Sequence, residues 1–213
     1  MKKTLLTLAC LVMFAFGTFA QNEKYIKAMA DNMTAMQNTK NPQDWQAVAS
    51  KFEQINQVAK TEWLPAYWAS YTYMIMSFSE KTLDKKDLFI AQAENNFQKM
   101  EALKIENDET YILKAYIAQA KLVADPQTRW QKEGANFEKN LAIATKLNPE
   151  NPRVYLLQGQ NVLHTPEAFG GGKGKALPIL KKSKEKFETF KPTSELHPNW
   201  GKGQLDKILK DAE

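Results

Sequence analysis

The chain has 213 residues, a formal net charge of +5, and one cysteine. That length supports one good-sized domain with a real core. The basic excess is modest, and only Arg129 and Arg153 represent arginine, so the dense Arg-bearing patch expected for nucleic-acid binding is missing.

The first twenty residues read as a secretory signal peptide. Lys2 and Lys3 precede a mainly apolar run from Leu5 to Phe16, and Thr18-Phe19-Ala20 presents small residues at the positions that favour cleavage before Gln21. The run is too short for a membrane span, and no later segment approaches membrane length. Cys10 gives a lipobox-like Leu8-Ala9-Cys10, but Thr7 stands where a larger apolar residue is wanted. The expectation is an exported, periplasmic chain cleaved after Ala20, with residues 21–213 as one domain. Cleavage would remove the only cysteine, leaving no disulfide, thiolate metal site or cysteine nucleophile.

From residue 21 onward the periodicity is helical. In FIAQAENNFQKMEAL, residues Phe89, Ala93, Phe97, Met100 and Leu103 share one helix face. In ALPILKKSKEKFETF, residues Ala176, Leu180, Ser183, Phe187 and Phe190 do the same. Breaks fall at Asn41-Pro42, Leu64-Pro65, Asp125-Pro126, Asn148-Pro149, Asn151-Pro152, Lys191-Pro192 and His197-Pro198. The helices recur in pairs. Tyr67, Tyr111 and Tyr155 are 44 and 44 residues apart, and each is followed four residues later by Tyr71, Ala115 or Gly159. Phe52, Phe97 and Leu141 in the partner helices are 45 and 44 apart. Such recurrence is the mark of a helical-repeat architecture, in which each hairpin buries its apolar face against its neighbours.

NFEKNLAIATKLNPENPRVYLLQGQ resembles the junction of two tetratricopeptide repeats. Leu141, Ala144 and Leu147 fall at the second-helix positions, Pro149 at the repeat-ending proline, Tyr155 at the opening aromatic and Gly159 at the small residue. The resemblance covers roughly Trp45 to Pro192. It departs from the family in its longer period of about 44 and in Tyr71, which stands where Gly or Ala is usual. It implies an all-α, right-handed alpha-solenoid of antiparallel helix pairs. The C-terminal part, TPEAFGGGKGKALPILKKSKEKFETFKP, is similar to exported repeat proteins of Bacteroidota. Its Phe-Gly-Gly turn also resembles the T-component of TRAP-type transporters.

HTPEAFGGGKGKAL has the composition of a phosphate loop but not its spacing. Phe169 stands where the first glycine is required, Ala176 where the hydroxyl is required, and a helix rather than a strand precedes it. What remains is an enlarged turn before a helix N-terminus. There Gly170, Gly171, Gly172, Lys173 and Lys175 form a candidate anion-binding turn. His164 and His197 are the only histidines and lack helical ligand partners, so no metal site is expected. No Gly-x-Ser-x-Gly motif is present, and the pair Glu106 and Asp108 reads as helix-cap acids. No catalysis and no cofactor are therefore expected.

The richest segment is EWLPAYWASYTYMIMSF, apolar on every side, as for a central buried helix. First helices line the concave groove in the repeat family. That resemblance makes Trp68, Tyr73, Ile112 and Tyr116 the candidate groove residues for an envelope protein or peptide partner. The main expectation is a non-catalytic scaffold or adaptor. The alternative is a periplasmic small-ligand-binding accessory of a transport system, with an enclosed aromatic pocket.

Overall fold

The computed structural model describes residues 22–212, and the expected signal peptide lies outside them. Among the described residues all regular structure is helical. Helix α1 spans 22–38, followed by α2 (Pro42–Val58), α3 (Leu64–Ser79), α4 (Leu83–Glu101), α5 (Asp108–Ala124), α6 (Pro126–Leu147) and α7 (Pro152–His164). A short 3-10 turn (Glu167–Phe169) leads to α8 (Lys173–Thr189), and α9 (Lys202–Ala212) closes the chain. No helix among the described residues is long and apolar enough to cross a membrane.

Local chemistry sets the boundaries. Asn107, Asp125 and Asn151 cap α5, α6 and α7 by accepting hydrogen bonds from the backbone N–H groups of Thr110, Thr128 and Arg153. Proline in the first turn of α3, α6 and α7 occupies a position where no backbone donor is missed. Asp125 ends α5 and caps α6, so the hairpin turns on a single residue.

Consecutive helices pack as α2 on α3, α3 on α4, α5 on α6 and α7 on α8, while α3, α5 and α7 also touch in series. Burial follows from this arrangement. α3 is buried from Leu64 through Met74, whereas α4, α6 and α8 each bury one stripe. The stripes are Ile90, Ala93, Phe97 and Met100 on α4; Phe137, Leu141 and Ala144 on α6; and Ala176, Leu180 and Phe187 on α8. A Cβ on Gly159 would lie 2.6 Å from Leu180 Cδ2, so α7 approaches α8 as closely as glycine permits.

The contacts also correct the repeat register. In α3 the close approach belongs to Ser70, which is fully buried and donates to the Ala93 carbonyl of α4 at 2.8 Å. Tyr71 instead stacks on Trp200, as Tyr116 does. Ser70, Ala115 and Gly159 are therefore equivalent, at spacings of 45 and 44, which are also the spacings of Phe52, Phe97 and Leu141. The anomalous tyrosine at a small-residue position disappears.

The chain's own C-terminal strap is the dominant tertiary feature. After α8 it returns across α3, α5 and α7. Trp200 is sandwiched between Tyr71 and Tyr116, with ring centroids 5.1 and 5.3 Å away. The Trp68 indole donates to the Leu196 carbonyl at 2.8 Å, the Trp200 indole donates to the Tyr67 hydroxyl at 2.8 Å, and Gln204 donates to the Tyr116 hydroxyl at 3.1 Å. Gly201, with φ +109°, turns the strap into α9 where a Cβ would press on Leu156 and Phe187. Beneath Trp200, fully buried Arg153 pairs with buried Glu109. Tyr67 and Asn151 also donate to Glu109.

Two consequences are measurable. Arg153→Met leaves Glu109 buried without its counter-charge and should destabilise the protein by about 3–5 kcal/mol in urea unfolding. His197, in the strap, packs edge-on to Trp63 with its Nδ1 2.7 Å from Ser194 Oγ. Burial holds its pKa below the usual histidine value, against the opposing pull of Glu109 and Asp108. The unfolded chain then takes up a proton that the folded chain refuses. The His197 contribution is thus present above the unfolded pKa of about 6.5 and lost as pH falls through the lower folded value. Melting temperatures compared at about pH 7.5 and about pH 5.5 should show an acid-side loss that His197→Gln diminishes; an identical profile in the variant would refute the assignment.

Candidate functional site

The residues expected to line an open groove are all interior. Trp68 and Ile112 are fully buried, and Tyr73 and Tyr116 are 3% exposed. Trp68 and Tyr116 lie under the strap, so the face they line is covered by the chain itself. Tyr73 lies elsewhere, against α2 and α4. Its hydroxyl accepts from Gln46 at 3.1 Å and donates to Glu53 at 3.2 Å, and its ring stacks on Phe89 at 6.4 Å. Burial, and next to it Glu53, raises its pKa above the usual tyrosine value.

The glycine turn uses its own donors. The N–H groups of Gly170, Gly171 and Gly172 donate to the carbonyls of Glu167, Pro166 and Val162. Gly170 and Gly172 adopt positive φ, which explains the glycines without a ligand. A Cβ on Gly172 would lie 3.1 Å from a Glu167 carboxylate oxygen, so an internal anion already stands beside the α8 N-terminus. Lys173 and Lys175 are exposed there.

Open space occurs instead between α4, α5 and α6. One cavity of about 360 Å³ is lined by residues including Asp87, Ala91, Lys121, Arg129 and Glu133. A second, of about 190 Å³, is lined by Phe97, Gln98, Ile117, Ala118 and others. The two share Glu94, Lys121 and Glu133 and so form one groove over the outer side of α5. The larger part falls within the size range of small-molecule sites.

The corrected register explains why this groove exists. Adding 45 residues carries Tyr73 to Ala118, Gln46 to Ala91 and Glu53 to Gln98. The cluster that fills the gap over α3 is thus replaced over α5 by two alanines and a glutamine, all three on the groove wall. Phe89, on α4, maps by the 44-residue step that carries Phe97 to Leu141 onto Glu133 of α6, which lines both parts of the groove. The neighbouring Gly134 lies inside α6 with nothing within 4 Å of an added Cβ. Nothing packs closely enough there to require glycine. This site was missed in the sequence because the 44-residue alignment matched Tyr73 with Ile117 and hid the large-to-small exchange.

Charge rims the groove. The Arg129 guanidinium donates to both oxygens of Asp87 at 2.6 and 2.7 Å, joining α6 to α4. These hydrogen bonds hold the Asp87 carboxyl below the usual carboxylate range. Lys121 pairs with Glu94, and Lys114 with Glu101 at 2.6 Å, joining α5 to α4. Glu133, 6% exposed, accepts from Asn136 at 3.1 Å. Trp130, 60% exposed, follows Arg129 in sequence, and Leu88, 57% exposed, follows Asp87. No His, Met, Cys or Tyr lines the groove, and the described residues hold no cluster of three or more His, Cys, Asp or Glu able to bind a metal.

A helix-interior glycine in open space is a direct stability test. Gly134→Ala should raise stability by about 0.5–1 kcal/mol in urea unfolding, because it costs the folded state nothing and lowers the entropy of the unfolded chain. A loss of stability would mean that the space beside α6 is tighter than described.

No protein-family model matches the chain, and no curated protein matches it. Among solved structures, it is similar to the HusA haemophore from Porphyromonas gingivalis. The two are 33% identical, superpose with a TM-score of 0.77, and align over 89% of this chain and 92% of that one. With that identity across nearly the full length of both, the chain belongs to the HusA haemophore family.

Proposed function

We propose that this protein is an exported, non-catalytic binder of haem, and that it holds the macrocycle in the groove between α4, α5 and α6. The observation that carries the reading is the full-length likeness to a haemophore. The groove supports it chemically. Phe97, Ile90, Ile117 and Ala118, each only 3–5% exposed, form an apolar floor beneath the groove, and Lys121, Arg129 and Lys132 supply cations for the carboxylates of a flat hydrophobic ring. Because the lining contributes no His, Met, Cys or Tyr, the ring faces and the carboxylates are the handle, not an axial ligand to iron.

The burial of Trp68, Tyr73, Ile112 and Tyr116 weighs against a scaffold that grips a peptide through those residues, and for the small-ligand alternative. The pairing of α3 with α4, α5 with α6 and α7 with α8, and polar contacts between residues about one repeat apart, support a right-handed, tetratricopeptide-like solenoid as the frame. Cleavage after Ala20 and release to the periplasm complete the proposal.

Titration of the purified mature protein with haemin, followed by its Soret absorbance, tests it. Ala118→Tyr restores the bulk that Tyr73 supplies one repeat earlier and should weaken haemin binding at least about tenfold while the helical circular dichroism is kept. Failure of the parent protein to bind haemin would sink the haem reading. A folded Ala118→Tyr variant that binds as tightly as the parent would move the site elsewhere.

A further inference from the structure

The groove's ion pairs point to how a ligand is recognised, an inference that rests on the groove reading above. Six charged side chains line the larger cavity, and four of them, beside Lys132 and Glu133, form two close pairs, Arg129 with Asp87 and Lys121 with Glu94. All four are reachable, with side chains 27% and 40% exposed in the first pair and 24% and 41% in the second. In both pairs the acid stands on α4 and the cation on the α5–α6 hairpin, so the pairs bridge the two walls. An exposed single-contact pair such as Lys121 with Glu94 contributes little to stability. The two-donor pair of Arg129 with Asp87 can be remade with another carboxylate in the same geometry, so exchange of one carboxylate for another costs little. Arg129 presents to Asp87 the planar two-donor fork that any carboxylate would accept. Lys132, 82% exposed and 3.9 Å from Glu133, adds a third cation to the same wall.

We propose that Arg129 and Lys121 are receptors for carboxylates of the bound ligand, and that Asp87 and Glu94 are internal competitors which the ligand displaces. The groove is therefore selective for apolar molecules carrying at least one carboxylate, and discriminates against uncharged molecules of the same shape. Competition makes an unusual prediction: removing an acid from the site improves binding. A purely structural role for these pairs, pinning α4 to the hairpin, predicts the reverse. Loss of a pin would loosen the groove for charged and uncharged ligands alike.

The test uses the full mature protein with protoporphyrin IX and its dimethyl ester, titrated in the same dilute detergent and followed by porphyrin absorbance. Asp87→Asn and Glu94→Gln should each tighten the diacid by about three- to fivefold and leave the ester unchanged, while Arg129→Gln weakens the diacid selectively. Added salt should weaken the diacid and not the ester. Melting curves confirm folding of each variant, and the two acid variants serve as independent checks. Diacid and ester bound equally and unaffected by these substitutions would overturn the carboxylate assignment while leaving the groove as the site. So would parallel weakening of both ligands by Asp87→Asn. Absence of binding by both porphyrins to the parent protein would overturn the groove reading itself, and this inference with it.

Discussion

The buried pair of Arg153 and Glu109 is the constraint on which the rest of the arrangement depends. Arg153 has no exposed surface, yet it carries a full charge, and the protein interior tolerates that only with compensation close by. Glu109 on α5 supplies the counter-charge, Tyr67 on α3 and Asn151 at the start of α7 bond the same carboxylate, and Arg153 also donates to the Trp200 carbonyl at 3.4 Å. Its guanidinium lies 4.6 Å from the Phe190 ring centroid and 5.4 Å from that of Trp200. One residue thus ties α3, α5, α7 and the C-terminal strap together. Any rearrangement that uncovers the inner face must break this cluster, which keeps the strap an integral part of the fold.

Covering that face removes it as an open surface. In a helical-repeat frame the inner helices would ordinarily present the binding surface, and their aromatic side chains are abundant here. Trp200 consumes them, standing between Tyr71 and Tyr116 as a planar ligand would. The open space lies on the outer side of α5, where Tyr73 gives way to Ala118 and Gln46 to Ala91 one repeat later. Burial of three tyrosines follows from the same packing: Tyr67, Tyr71 and Tyr116 all have phenol pKa values raised, chiefly by desolvation.

Helix content, the breaks at Asn-Pro and Asp-Pro and the recurrence of helices in pairs were legible in the sequence, since period and proline geometry act within a few residues of each other. The cap of α5, by contrast, is Asn107 rather than the flanking acids Glu106 and Asp108. The buried stripes of α4 and α8 followed from the same period. The glycine turn was also legible as a turn, because positive φ at Gly170 and Gly172 is a local demand. By itself the sequence therefore determined an all-helical protein of recurring pairs with a buried aromatic α3.

Tertiary structure decided the register and the site. Spacing alone matched Tyr67 with Tyr111, but packing matches Ser70 with Ala115, and a one-residue shift on a helix turns a side chain by about 100 degrees. Groove lining by Trp68 and Tyr116 was inferred without the strap, whose contacts join residues such as Trp68 and Leu196 across 128 positions. No local period reports contacts at that separation. The α4–α6 groove is defined by what is missing from it, and a missing side chain leaves a signal only after the repeats have been superposed in space.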